Sequence, residues 1–180
     1  MIDSKIIKAA AIFAAKKDIR TYLRGVWLQT REGKTHVLAT DGNRMFAHVI
    51  NWEGDALNVR MSGATLAAVI AAPSFNIVGS SVLLPNGAAL PLDSEPGTYP
   101  DWRRVVPREL TGEKSNYPLD QIGDIHKAFK ALKVPVTMFD FATCGQSAAV
   151  VTHQSVPGLI ILQMPLRPLK DPMHYYLDAI

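Results

Sequence analysis

Apolar and polar positions alternate along this chain with two distinct periods. Between residues 3 and 17, Ile6, Ile7, Ala10, Phe13 and Ala14 share one face at about 100° per residue, which predicts an amphipathic helix. Lys5, Lys8 and Lys16 fall on the opposite face, with Ile12 the one large apolar residue among them. After Arg20 the period becomes two. "GVWLQT", "THVLAT" and "RMFAHVI" read as an antiparallel meander, joined by turns at Glu32-Gly33 and Asp41-Gly42, where glycine supplies the positive φ of a tight hairpin. "NVRM" predicts a short strand leading into a second helix, with Ser62 as N-cap and its end before Pro73. The run "ATLAAVIAA" is so apolar that this helix is expected to be buried and closely packed. "FNIVG", "SVLLP" and "AALPL" follow as strands, the last two hinged at Asn86-Gly87.

From Ser94 to Pro118 the composition shifts to proline, glycine and charge, which marks a boundary. Beyond it Leu119, Ile122, Ile125, Phe129 and Leu132 predict a third helix, with Asp120 and Asp124 early and Lys127, Lys130 and Lys133 late. That charge order complements the helix dipole, so these lysines have a structural role that needs no ligand. The strands "VTMFDFA", "SAAVVTH" and "GLIILQM" come next, the last two joined at Pro157-Gly158, and a Pro-interrupted tail follows. Helix two with its three strands and helix three with its three strands repeat one order, a sign of internal duplication.

A length of 180 residues, 48% of them hydrophobic and 19% charged, fits one generous globular domain or two small ones. A net charge of +3 is too mild to identify a nucleic-acid binder by itself. The single cysteine, Cys144, excludes an intrachain disulfide and a cysteine-rich zinc site, and reads as a small packed thiol. "AIFAA" imitates a signal peptide, but Lys8, Lys16 and Lys17 fit an amphipathic helix better, and no apolar run reaches the roughly 18 residues of a membrane span. A cytoplasmic protein is expected, without contact with a membrane. His36, His48, His126, His153 and His174 are scattered; His36 and His48 lie on adjacent predicted strands, where they could be neighbours. No phosphate loop, nucleophile elbow or metal motif occurs, so the expectation is no enzyme, no cofactor, no metal and no catalytic residue.

Three segments taken in order carry a family resemblance. "TYLRGVWLQT" with "LATDGNRMFA" resembles the strand-turn-strand signature of the bacterial DNA polymerase III beta subunit, the replicative sliding clamp. "GTYPDWRRVVP" resembles that family's connector between its second and third domains, and "LQMPLRP" resembles its C-terminal end. The resemblance implies an α+β, DNA-clamp-like fold of antiparallel sheets with helices packed on one face, amounting to about one and a half clamp domains. Residues 1–107 would be a complete domain, 108–118 a linker, 119–168 the second half of another domain, and 169–180 an appended tail.

In that family the two domains meet at an apolar cleft that captures short motifs of polymerases, clamp loaders and repair proteins. Carried over by position, the resemblance assigns to this cleft Leu23, the turn residues Thr40, Gly42, Asn43, Arg44 and Met45, and the connector residues Tyr99, Pro100, Arg104 and Val105. Its last wall would be Leu162, Gln163, Met164, Pro165, Leu166 and Arg167. Met45, Met164, Leu23 and Leu166 suit an adaptable aliphatic wall, and Arg44, Arg104 and Arg167 suit polar orientation of a peptide. The same residues also suit interdomain core and surface ion pairs. Asn43 and Gln163 depart from the family's usual basic or aromatic and aliphatic residues.

Two function classes follow. One is a minimal clamp of phage or mobile-element type that forms a homo-oligomer around double-stranded DNA, with Lys5, Lys8, Lys16, Lys127 and Lys130 on the phosphates. The other is a ring-free adaptor, decoy or regulator that binds replication proteins through their clamp-recognition peptides. The lysine face of helix one favours the first, and the absent half-domain and lysine-free second helix favour the second. A tail that folds over the groove, or enters a neighbour's, is a further expectation.

Overall fold

Asp3 starts the first helix: its carboxylate accepts a 2.9 Å hydrogen bond from the Lys5 amide and so satisfies one of the free N–H groups of the first turn. The computed structural model describes residues 1–93, 97–135 and 138–166. Strand β1 (Ile2–Asp3) precedes α1 (Ser4–Ala11), and the meander is β2 (Val26–Arg31), β3 (Lys34–Thr40) and β4 (Arg44–Ile50). Next come β5 (Asn58–Met61), α2 (Gly63–Ala71), β6 (Ser74–Val78), β7 (Ser81–Leu83) and β8 (Ala89–Pro91). After the connector lie α3 (Leu119–Ala131), β9 (Asp140–Ala142), β10 (Ala149–Thr152) and β11 (Leu159–Gln163).

The strands form two antiparallel sheets, ordered β1-β6-β7-β8 and β5-β2-β3-β4-β11-β10-β9. The seven-stranded sheet joins the two ends of the chain through β4 and β11, in a register that sets Met45 opposite Leu162 and Arg44 opposite Gln163. The α1–β2–β3–β4 and α2–β6–β7–β8 units exchange their leading strands, since β1 pairs with β6 and β5 with β2. The order repeats a third time as α3–β9–β10–β11.

Period-two alternation sends the strand side chains into two separate cores. Val26, Leu28, Val37, Ala39, Phe46, Val151 and Ile161 join Ile7, Phe13, Val69, Ile125 and Phe129 in the core between helices and sheets. Trp27, Leu38, Met45, Ala47 and Leu162 face the other way and pack with Tyr99 of the connector. The expected α+β architecture, antiparallel with its helices on one face, is therefore present.

Several local expectations are corrected. The first helix was expected over residues 3–17, yet it ends at Ala11. Ile12, Phe13 and Ala14 tighten into bonds three residues back, and the Ala15 amide goes to Leu23 O at 3.0 Å, which takes the chain off the helical path. The second helix buries only Thr65 and Val69; Ala64, Ala67 and Ala71 are exposed because just one side meets the sheet and α1. Ser62 starts that helix without capping it, since its hydroxyl donates to Asp93 instead. The strand expected at "VTMFDFA" is confined to Asp140–Ala142 among the described residues. His36 and His48 are not neighbours: His36 packs edge-on to Trp102 on the outer face, and His48 packs against Phe46 on the inner one. Among the described residues no helix is long and apolar enough to cross a membrane, and no cluster of three or more His, Cys, Asp or Glu could hold a metal.

Phe46 is fully buried and lies 5.8 Å from the Phe13 ring. Phe46→Ala is expected to cost about 3–5 kcal/mol by combined loss of burial and cavity formation. Urea unfolding of the two proteins checks this.

Candidate functional site

The turn between β3 and β4 is built by its own side chains. Asp41 Oδ1 accepts from the amides of Asn43 and Arg44 at 2.9 and 3.0 Å, while Thr40 Oγ1 accepts from the Gly42 amide and donates to Arg44 O. Gly42 has φ +95°, a left-handed backbone that calls for glycine. The Met164 amide donates to Asn43 O at 2.8 Å, which staples the end of β11 to this turn.

The connector forms the roof. Tyr99 is buried with its ring 5.5 Å from Trp27, and the Trp27 indole N–H donates to Tyr22 O, fixing the segment that carries Leu23. Trp102–Val105 make a short 3-10 turn, held over the sheet by the His36–Trp102 contact and by a 3.2 Å ion pair from Arg31 to Asp101. Burial pushes the Tyr99 hydroxyl pKa up, so it stays neutral. Burial, then nearby Arg103, pushes His36 down.

Between turn, roof and strand end lies a predominantly apolar groove of about 180 Å³. Of the residues assigned by resemblance, Leu23, Thr40, Gly42, Asn43, Arg44, Met45, Tyr99, Pro100, Val105, Leu162 and Met164 line it together. Arg104, Gln163, Pro165 and Leu166 do not, and Arg167 lies outside the described residues with the tail 169–180. Arg104 projects to solvent with its side chain 84% exposed. Gln163 faces the helices, since alternation along β11 turns Leu162 to the groove and its neighbour inward; its amide bonds Gln121 and Met164 O. Sequence reasoning left out Arg20, Tyr22, Asp101, Trp102 and Ala148, which also line the groove. Trp102 and Asp101 were legible inside "TYPDWRRV"; Ala148 carries no sequence signal and arrives through the pairing of β10 with β11.

Arg44 has a different task from steering a ligand. Its guanidinium donates to Asp41 and Asp124, both at 2.8 Å, reaches Ile12 O at 3.3 Å and covers the Phe13 ring at 5.3 Å. It thus ties the turn to α1 and α3. Burial pushes the Asp124 carboxyl up, but hydrogen bonds from Lys127 and Arg44 outweigh it and hold the pKa below the ordinary 3.8. Asp124 accordingly contributes stability that is complete above pH 3.8 and disappears as pH falls through its lowered folded value. Asp124→Asn is expected to flatten the acid limb of a stability-versus-pH profile recorded between about pH 2 and pH 5, while weakening the fold at neutral pH.

Of the lysines assigned to DNA, Lys8, Lys16, Lys127 and Lys130 are exposed. Lys5 is half-buried and paired with Asp3 at 3.0 Å, and Lys127 is paired with Asp124 at 2.7 Å.

Among solved structures the chain is similar to bacterial sliding clamps. A C. crescentus beta sliding clamp matches with TM-score 0.70 at 17% identity, over 93% of this chain and 64% of that one. The Pseudomonas aeruginosa DNA polymerase III subunit beta gives 0.73 at 15% identity, over 92% and 63%. The Thermotoga maritima beta subunit gives 0.70 at 14% identity, over 93% and 65%. The chain therefore has the sliding-clamp fold and spans somewhat under two thirds of the length of these clamps. No protein-family model and no curated protein matches the sequence.

Proposed function

We propose that this protein is a replication-associated, clamp-related binding protein that captures short apolar recognition peptides in the groove beneath the connector. Its partners would be a DNA polymerase or other replication and repair proteins bearing clamp-binding motifs, and its role is non-catalytic. One observation carries the reading: three segments far apart in sequence, the Asp41 turn, the connector and the end of β11, wall a single apolar groove. The groove combines pliable Met45 and Met164 with the flat faces of Tyr22 and Trp102, a lining suited to varied aliphatic and aromatic side chains. Thr40, Asn43 and Asp101 add polar groups at its rim. The domain division proposed from sequence, 1–107 and 119–168 about a linker at 108–118, places this groove at the seam.

A second reading, non-specific contact with double-stranded DNA, is favoured by the exposed Lys8, Lys127 and Lys130 on α1 and α3, two helices that pack against each other. Peptide capture does not require a closed ring. A ring-free adaptor or regulator in a cytoplasmic replication system is therefore compatible with the groove.

Titration of a fluorescent clamp-binding peptide tests the first reading. Met164→Ala is expected to weaken binding by about five- to tenfold, and Arg104→Ala to leave it unchanged. Equal affinity of the Met164 variant and the wild type would place the site elsewhere. For DNA, retention should fall steeply with salt, and Lys8→Ala with Lys130→Ala should reduce the log–log slope by about two. Retention that ignores salt, or a slope unmoved by both substitutions, would remove the DNA reading.

A further inference from the structure

The connector divides the outer face of the seven-stranded sheet into two cavities. On one side lies the apolar groove, at the turn end of β3 and β4. On the other side, towards the opposite ends of the same strands, a cavity of about 440 Å³ is floored by His36, Val49 and Ile160 and rimmed by Arg31, Lys34 and Arg103. Trp102 lines both, so its ring is a shared wall. Thr40 of the groove and His36 of the cavity are four residues apart on β3, a separation of about 13 Å that four residues of extended peptide span.

The two cavities differ in how their cations are matched. Beside the groove, Arg20 is paired with Asp18, and Arg44 with Asp41 and Asp124. In the second cavity only Arg31 is matched, by Asp101 at 3.2 Å and Glu32 at 3.7 Å. Among the described residues Lys34 and Arg103 pair with no acid, and Glu32 is the one acid in the lining. Arg103 is laid over the Trp102 ring instead, its guanidinium carbon 5.1 Å from the ring centre. A guanidinium stacked in this way keeps its in-plane N–H donors free for a carboxylate. Burial first, then the charge of Arg103 and, more weakly, that of Lys34 hold His36 below its ordinary pKa.

We propose that the cavity beyond Trp102 is a subsite for an acidic side chain, Asp or Glu, of the same peptide whose apolar residues fill the groove. The inference rests on peptide capture in that groove and adds a charge requirement to it. Charge complementarity selects the occupant: a carboxylate meets two unmatched cations at the rim, whereas a lysine or arginine of the peptide meets charge of its own sign. Arg103 supplies the directional donors and Lys34 a point charge. The residues assigned to peptide orientation by resemblance were Arg44, Arg104 and Arg167, so Arg103 and Lys34 are additions that only the folded chain reveals.

Two fluorescent clamp-binding peptides test the proposal, identical except that the residues flanking the apolar motif at both ends are Glu in one and Gln in the other. The Glu peptide is expected to bind the wild type about five- to tenfold more tightly at low salt, with the advantage shrinking as salt rises. Lys34→Gln and Arg103→Gln should each reduce that advantage about threefold and leave the affinity for the Gln peptide unchanged. Lys130→Gln, which removes an exposed charge from α3, should preserve it. NMR titration gives a second readout: the bound Glu peptide should raise the His36 pKa, since a nearby anion favours the imidazolium, and the Gln peptide should not. Equal affinity for the two peptides, or a His36 titration that the Glu peptide does not move, would overturn the inference and leave peptide capture standing. Failure of both peptides to bind would remove the capture reading, and this inference with it.

Discussion

The antiparallel pairing of β4 with β11 is the contact on which the rest of the molecule depends. It joins β5 and the β2–β3–β4 meander to the strands of the third unit in one continuous seven-stranded sheet. A sheet presents alternate residues to opposite sides, so this one join decides both faces. Phe46 and Ile161 meet beneath the helices, and Met45 and Leu162 meet beneath the connector. A slip of β11 by one residue would exchange its own two sets and carry Gln163 into the groove in place of Leu162.

Arg44 and Gln163, directly opposite one another, show how the join is made specific. Each turns towards the helices, where Asp124 and Gln121 of α3 receive them. Paired polar groups withdrawn from water contribute little net stability, but breaking either pair leaves an unmatched charge or amide. They therefore fix register and helix position more than they add to stability. The groove on the other face can then be lined mainly by apolar and aromatic groups because its polar partners have been drawn to the opposite side.

The connector repeats that division of labour on a smaller scale. Its proline-bounded sequence forbids a long helix or a paired strand, leaving Tyr99 and Trp102 to anchor it against Trp27 and His36. Arg31 and Asp101 hold it from outside. Among the described residues the roof of the groove is thus attached by side chains, in contrast to the turn and strand end, which backbone hydrogen bonds bind together.

Element type was written in the sequence wherever one face is buried, because a half-buried strand or helix must repeat its apolar positions every two or 3.6 residues. β4, β5 and α3 appear where the pattern puts them, and the Asp-Gly turn and the connector were recognisable as parts of one site. Composition misled for α2, whose apolar run says what the helix is made of but not how many sides have neighbours. It was also silent on where α1 stops, since Leu23 O ends the helix from a distance. Pairing of remote strands decided the rest. Only the β4–β11 register determines that Arg44 ties helices together, that Gln163 turns inward, and that Ala148 reaches the groove. Those outcomes depend on which strand lies alongside, a relation between distant parts of the chain that no local period encodes.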